Sequence, residues 1–183
     1  MLSKAKAVVI GGGVVGVSTL YHLASKGWDD VILLERKSLT SGSTWHAAGL
    51  LPLFNMSYSV GQIHKYSVKF YQELQNETGM NVGFKKVSNI RLATNQDRMD
   101  EYMQYKGVAD TIGINVEVLK PEDVKKIWPL ISTEGLIGAI RHPDDGYIQP
   151  ADLTQALAKG ARDKGAKIEI NTNVINIKSS SDG

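Results

Sequence analysis

Cysteine is absent from all 183 residues. That excludes a disulfide framework, a thiolate metal centre, a CxxC redox pair and a cysteine nucleophile together. Long apolar runs are missing too: nothing approaches the ~18 consecutive apolar residues that a membrane-spanning helix needs. The opening residues MLSKAKAVVI contain neither a secretory h-region nor an Arg/Ser-rich transit segment. The expected location is therefore cytoplasmic, or the mitochondrial matrix if a transit peptide has been removed. No excess of one charge exists either, with 21 Lys and Arg scattered among 19 Asp and Glu. A nucleic-acid binder concentrates its positive charge on one face, so neither nucleic acid nor membrane is an expected partner. The four histidines, His22, His46, His64 and His142, match no metal pattern such as HExxH, and no metal site is expected.

What is present is a globular composition, 42% hydrophobic and 22% charged. Ala5 to Ile10 reads as a short strand covered on both faces. The glycine cluster from Gly11 to Gly16 follows at once. Val17 to Lys26 then places Val17, Leu20, Tyr21 and Ala24 at helical spacing, and Gly27 supplies the stop. Val31 to Leu34 is a second apolar strand, so the start of the chain is a βαβ unit of about 30 residues.

Further along, Ser59 to Glu77 reads as a long helix with Ile63, Tyr66, Phe70 and Leu74 on one face. A strand is expected over Val87 to Thr94, a helix over Asp97 to Ile112, a strand over Asn115 to Leu119 and a short helix over Pro121 to Trp128. His142 to Gly146 reads as a loop, Pro150 to Lys164 as a helix and Ile168 to Ile177 as a strand, with a hairpin turn at Asp182-Gly183. The ends are parallel-sheet material and the middle is of another type. The fold expected is α/β, a Rossmann-like nucleotide-binding unit over 1–54 that continues over 146–183, with part of an inserted α+β module over 55–145. The turn at the end has no return strand after it, so the expectation is an incomplete fold.

Gly11-x-Gly13-x-x-Gly16 sits between a strand and a helix, the context that gives this pattern meaning. Gly11 permits the tight turn, Gly13 the approach of a pyrophosphate, and Gly16 close packing of helix on strand. The pyrophosphate would meet the N–H groups at the helix start, Val15 among them. Glu35 ends the second strand, where a carboxylate accepts bonds from a ribose hydroxyl and repels a 2′-phosphate. Arg36 and the loop after it, with Ser43 and Thr44, offer charge, hydroxyls and flexible backbone that can wrap an anionic cofactor. These features indicate a dinucleotide and leave FAD and NAD both open.

The segments Gly11–Gly16, Leu34-Glu35-Arg36, Ser41-Gly-Ser-Thr-Trp-His-Ala-Ala-Gly-Leu50, Ser88–Thr94 and Asp145–Pro150 resemble the dimethylglycine dehydrogenase and sarcosine dehydrogenase family. That family lies within the D-amino-acid-oxidase-like FAD amine oxidoreductases. The resemblance covers nearly the whole chain, and the TWHAAG stretch is its specific part. It implies FAD, carried covalently by the histidine of that stretch, here His46, through a ring nitrogen bonded to the 8α-methyl. It also implies that backbone near Val174 faces the adenine.

The implied chemistry is oxidative N-demethylation of a small N-methylated amino acid, sarcosine or dimethylglycine, as in glycine betaine catabolism. The one-carbon product leaves as formaldehyde or passes to tetrahydrofolate in a downstream domain, and the electron acceptor is open. The catalytic residues are unassigned: Arg91 and Tyr147 are read as surface or interdomain residues as readily as substrate ligands. Trp45 is read as a core aromatic, and Trp28 and Trp128 as packing residues. Two alternatives stand beside this reading. One is a NAD-dependent dehydrogenase, consistent with the fingerprint. The other is a non-catalytic homologue, because a regulatory subunit of pyruvate dehydrogenase phosphatase resembles the same family.

Overall fold

A computed structural model describes residues 4–179. In chain order the strands and helices are β1 (Ala7–Ile10), α1 (Val14–Ser25), β2 (Val31–Leu34), β3 (Leu50–Leu51), α2 (Tyr58–Thr78), β4 (Lys85–Lys86) and β5 (Asn89–Ala93). They continue with α3 (Gln96–Ile112), β6 (Glu117–Leu119), α4 (Pro121–Ile127), β7 (Gly138–His142), β8 (Gly146–Tyr147), α5 (Pro150–Asp163) and β9 (Lys167–Glu169). None of the helices is long and apolar enough to cross a membrane. The chain divides into two compact units, Met1–Gly49 with Tyr71–Gly83 and Gln149–Gly183, and Leu50–Phe70 with Phe84–Ile148.

The first unit holds a parallel sheet in the order β1-β2-β9. Strand β2 is central and fully apolar, and Val31, Ile32 and Leu33 are all buried. Against it α1 buries the expected four residues, Val17, Leu20, Tyr21 and Ala24. Helix α5 is buried largely through small residues, Ala156, Ala158, Gly160 and Ala161 among them. A Cβ on Gly160 would lie 2.7 Å from the Tyr21 ring, so the close approach of α1 and α5 depends on that glycine. The Tyr21 hydroxyl donates to Glu77 at 2.6 Å, and Lys164 pairs with the other oxygen of Glu77.

In the second unit, β7 lies between β5 and β6 in an antiparallel sheet, and β8 lies between β3 and β4. The core gathers Tyr102, Tyr105, Ala109 and Ile112 of α3 with Ala93 and Ile140 of the sheet. Asn95 caps α3 by accepting from the Arg98 N–H, and Gly113 closes it in the left-handed conformation at φ 76. Asp145 organises the polar part of this core. Its carboxylate accepts from the Leu53 N–H, and its carbonyl accepts from Val87 and Ser88. His142 is fully buried, with Nε2 3.0 Å from the Tyr105 hydroxyl, which in turn donates to the Leu53 carbonyl.

Several expectations from sequence need correction. In the first half of α2, Ile63 and Tyr66 are exposed, and the inward positions are Gly61 and Val68, with His64 half-buried between them. Gly61 comes so close to Ile112 that a Cβ would sit 2.4 Å from its Cδ1, and Lys65 caps the end of α3 by donating to the Ile112 carbonyl. The buried stripe is thus shifted from the one the apolar pattern predicts, and it starts on a glycine. Strand β7 was not anticipated and begins on a glycine. The strand expected over Ile168 to Ile177 ends at Glu169: Asn171 turns at φ 55, and beyond it the chain bonds to the segment after β2 out of strand register. Trp45 is 62% exposed rather than a core aromatic, and Trp28 and Trp128 are about half exposed. The Asp182-Gly183 turn lies outside the described residues.

Candidate functional site

The glycine turn is shaped by three separate demands. Gly11 stands at φ 108 with open space where a Cβ would point, so it is required for its backbone angle. Gly16 is required for space: a Cβ there would lie 2.0 Å from the Gly11 carbonyl oxygen. A Cβ on Gly13 would come 3.0 Å from the Thr44 hydroxyl. The missing side chain at 13 therefore admits Thr44 as well as leaving the main chain open.

Gly13 is the N-cap of α1 and has no side chain with which to cap it. Thr44 fills that role from 30 positions away, its hydroxyl accepting from the Val14 N–H at 3.0 Å. The loop is also tied at Thr40, whose N–H donates to the Gly12 carbonyl. The remaining N–H groups of the first helical turn have no acceptor within an α-helix. Together with the helix dipole they favour an anion at this end.

Glu35 lies across the turn. One carboxylate oxygen accepts from the Gly12 N–H at 2.6 Å and the other from the Lys37 N–H at 2.7 Å. Burial pushes this carboxyl up, but the N–H groups of Gly12 and Lys37 and the charge of Arg36 outweigh it and hold Glu35 below the usual carboxylate range. Each oxygen keeps a further lone pair for a ribose hydroxyl.

A cavity of about 590 Å³ collects these groups. Seven of the residues singled out from sequence line it: Gly11, Gly13, Val15, Glu35, Arg36, Ser43 and Thr44. Val174 lines an adjoining cavity of about 290 Å³, together with Gly11, Glu35 and Arg36. It is brought there by the chain after β9, where the Thr172 N–H donates to the Glu35 carbonyl. Gly16 lies behind the turn as a packing residue. His46 is exposed on the 3-10 turn Ser43–His46, with Nδ1 3.2 Å from the Gly42 carbonyl and its ring 4.1 Å from that of Trp45. Its neighbour Ala47 lines the larger cavity.

Sequence reasoning missed Gly12. Its N–H binds Glu35, and a Cβ would collide with Leu39 at 2.7 Å and Glu35 at 2.9 Å. The signal was available, since Gly12 is the middle glycine of a run of three. Lys37 was missed because it contributes only its backbone N–H. Arg91 and Tyr147 belong to the second unit, where the Arg91 guanidinium stands 4.2 Å over the Phe54 ring.

Comparison with known proteins decides between the two dinucleotides. The family model for FAD dependent oxidoreductases matches residues 6–183. The chain belongs to this family. Human mitochondrial dimethylglycine dehydrogenase is 42% identical over 98% of the chain, and human mitochondrial sarcosine dehydrogenase 37% identical over 96%. The mitochondrial pyruvate dehydrogenase phosphatase regulatory subunit of Mus musculus is 35% identical, also over 96%. Among solved structures, L-proline dehydrogenase from P. horikoshii superposes with a TM-score of 0.91 at 27% identity, covering 99% of this chain and 48% of that one. The chain spans about a fifth of the length of the curated relatives, 21%, 19% and 20% respectively.

FAD replaces NAD as the cofactor to be tested against the site, and the residues present fit it. The helix start provides N–H donors for a pyrophosphate, the absent Cβ at Gly11 and Gly13 leaves the main chain accessible, and Glu35 remains an ionised acceptor for a ribose.

Proposed function

We propose that this chain forms the nucleotide-holding part of a flavoenzyme that oxidatively demethylates a small N-methylated amino acid, sarcosine or dimethylglycine. The observation that carries the reading is the Ser43–His46 turn, tied by Thr44 to the start of α1 while presenting His46 at its end. A nucleotide-binding turn alone gives no reason for a histidine held in this way. The two dehydrogenase relatives supply the substrate class.

In this reading Glu35 receives the ribose hydroxyls. The N–H groups around Val15 receive the pyrophosphate, Ser43 and Arg36 border it, and Val174 lies toward the adenine. The Gly42 carbonyl can only accept, so His46 Nδ1 carries the proton and Nε2 keeps its lone pair. That tautomer suits a histidine whose Nε2 anchors the flavin covalently. When bound, FAD supplies the two-electron acceptor for an N-methyl C–H bond. The one-carbon product leaves as formaldehyde or is passed to tetrahydrofolate held outside this chain.

The regulatory relative supports a second reading, a homologue that binds the cofactor without turnover. Anaerobic addition of sarcosine or dimethylglycine to the full-length flavoprotein separates the two. Bleaching of the visible flavin bands by either amine is the expected result. A bound flavin that neither amine reduces would favour the regulatory reading.

A further inference from the structure

Of the four residues in the Ser43–His46 turn, Thr44 is the buried one, at 8% exposure, whereas the Trp45 and His46 side chains stand in solvent. Its hydroxyl accepts from the Val14 N–H at 3.0 Å, its carbonyl accepts from the Ala47 N–H at 3.2 Å, and His46 Nδ1 meets the Gly42 carbonyl just before the turn. The turn that carries His46 is thus fastened to the helix start, the element that meets the pyrophosphate, through a single side-chain bond.

We infer that Thr44 is a positioning residue for flavin attachment. Its bond to Val14 fixes the distance between the nucleotide-binding turn and His46, so that occupancy of one presents the cofactor to the other. This rests on the reading of His46 as the covalent anchor. Closing the bond between Nε2 and the 8α carbon removes one hydrogen from that carbon and one from the imidazole. The two protons and two electrons leave together, with dioxygen as acceptor and hydrogen peroxide as its product. Thr44 takes no part in that exchange; it holds the attacking nitrogen in place.

Two substitutions break the bond from opposite ends. Thr44→Val removes the acceptor while keeping the side-chain shape. Val14→Pro removes the donor at the first position of α1, where proline is favoured. Gly13 before it has φ −80 and ψ 174, an extended conformation compatible with a following proline.

The experiment loads FAD into full-length apoprotein of the wild type, T44V, V14P and T44S. It follows total bound flavin by absorbance and attached flavin by fluorescence of the acid-denatured polypeptide. The rate of attachment per bound FAD should fall by about tenfold or more in T44V and V14P, and T44S, which retains the hydroxyl, should recover the wild-type ratio. Attachment at the wild-type rate in T44V or V14P overturns the inference. So does a loss of binding and attachment in equal measure, which would make Thr44 a determinant of affinity alone. A wild-type protein that never attaches flavin overturns the His46 reading, and this inference with it.

Discussion

Asp145 accepts the Leu53 amide into a buried carboxylate at 2.9 Å, although 92 positions separate the two residues. The other carboxylate oxygen and Nδ1 of His142 are buried acceptors with no partner among the described residues. Burial pushes the Asp145 carboxyl up to about 6, against the Leu53 amide and the Arg91 charge, and Asp144 adds to the rise. Burial, aided by Arg91, pushes His142 down to about 4. Around pH 5 the unfolded chain carries one proton on the histidine, and the folded chain carries one on the aspartate.

The two groups therefore oppose each other in stability. Asp145 contributes most below its unfolded value near 3.8 and loses that as pH rises through about 6. His142 contributes most above 6.5 and loses that as pH falls through about 4. In the wild type the terms largely cancel between these limits. Asp145→Asn should leave a fold that gains roughly 2–3 kcal/mol as pH rises from 4 to 6.5, and His142→Gln should leave one that loses a similar amount. Urea unfolding midpoints at pH 4.5, 5.5 and 6.5 measure this, and parallel slopes in the two variants would contradict it.

The glycines of the turn should separate folding from binding. Gly16→Ala forces a Cβ onto the Gly11 carbonyl, backbone against backbone, and should destabilise by about 1–3 kcal/mol. Gly13→Val meets a side-chain hydroxyl instead. It should leave a soluble, folded protein that no longer retains FAD. Circular dichroism melts and flavin content per polypeptide distinguish the outcomes, and full flavin retention in G13V would remove the nucleotide assignment.

Glu35→Gln tests the ribose acceptor. The amide offers one acceptor oxygen where two N–H groups now bind two, and it turns a donor toward one of them. Losing a charge-assisted bond of about 1.5–3 kcal/mol should weaken FAD binding by roughly 10- to 100-fold. Quenching of flavin fluorescence on titration reads the change, and unaltered affinity would show that the carboxylate serves the turn alone.

Tyr21→Phe removes the hydroxyl that bonds Glu77 while keeping the ring packed on Gly160. The expected loss is about 0.5–1.5 kcal/mol of stability, with FAD affinity unchanged. A larger effect on affinity than on the unfolding midpoint would place this contact in the binding machinery.

Much of the geometry of the candidate nucleotide site was legible in the sequence because its demands are local. Gly11, Gly16 and Glu35 follow from backbone angle, helix packing and the end of a strand, and the buried face of α1 follows from spacing alone. What escaped depended on partners distant in sequence. Gly61 faces inward because Ile112 packs against it, and Lys65 reaches across to the Ile112 carbonyl, relations that no periodicity encodes. The capping role of Thr44 requires knowing that its loop folds back on the helix start. Asp145 and His142 look like loop residues until the strands around them are assembled, and only then does burial shift their protons.

The most direct test concerns His46. Tryptic digestion of the acid-precipitated full-length protein releases the peptide from Ser38 to Lys65, which contains both His46 and His64. Fragment mass spectrometry should show this peptide heavier by one FAD less two hydrogens, or by the flavin portion of it that survives the acid, with the added mass on His46. An unmodified peptide, with all the flavin free in the supernatant, would contradict the account.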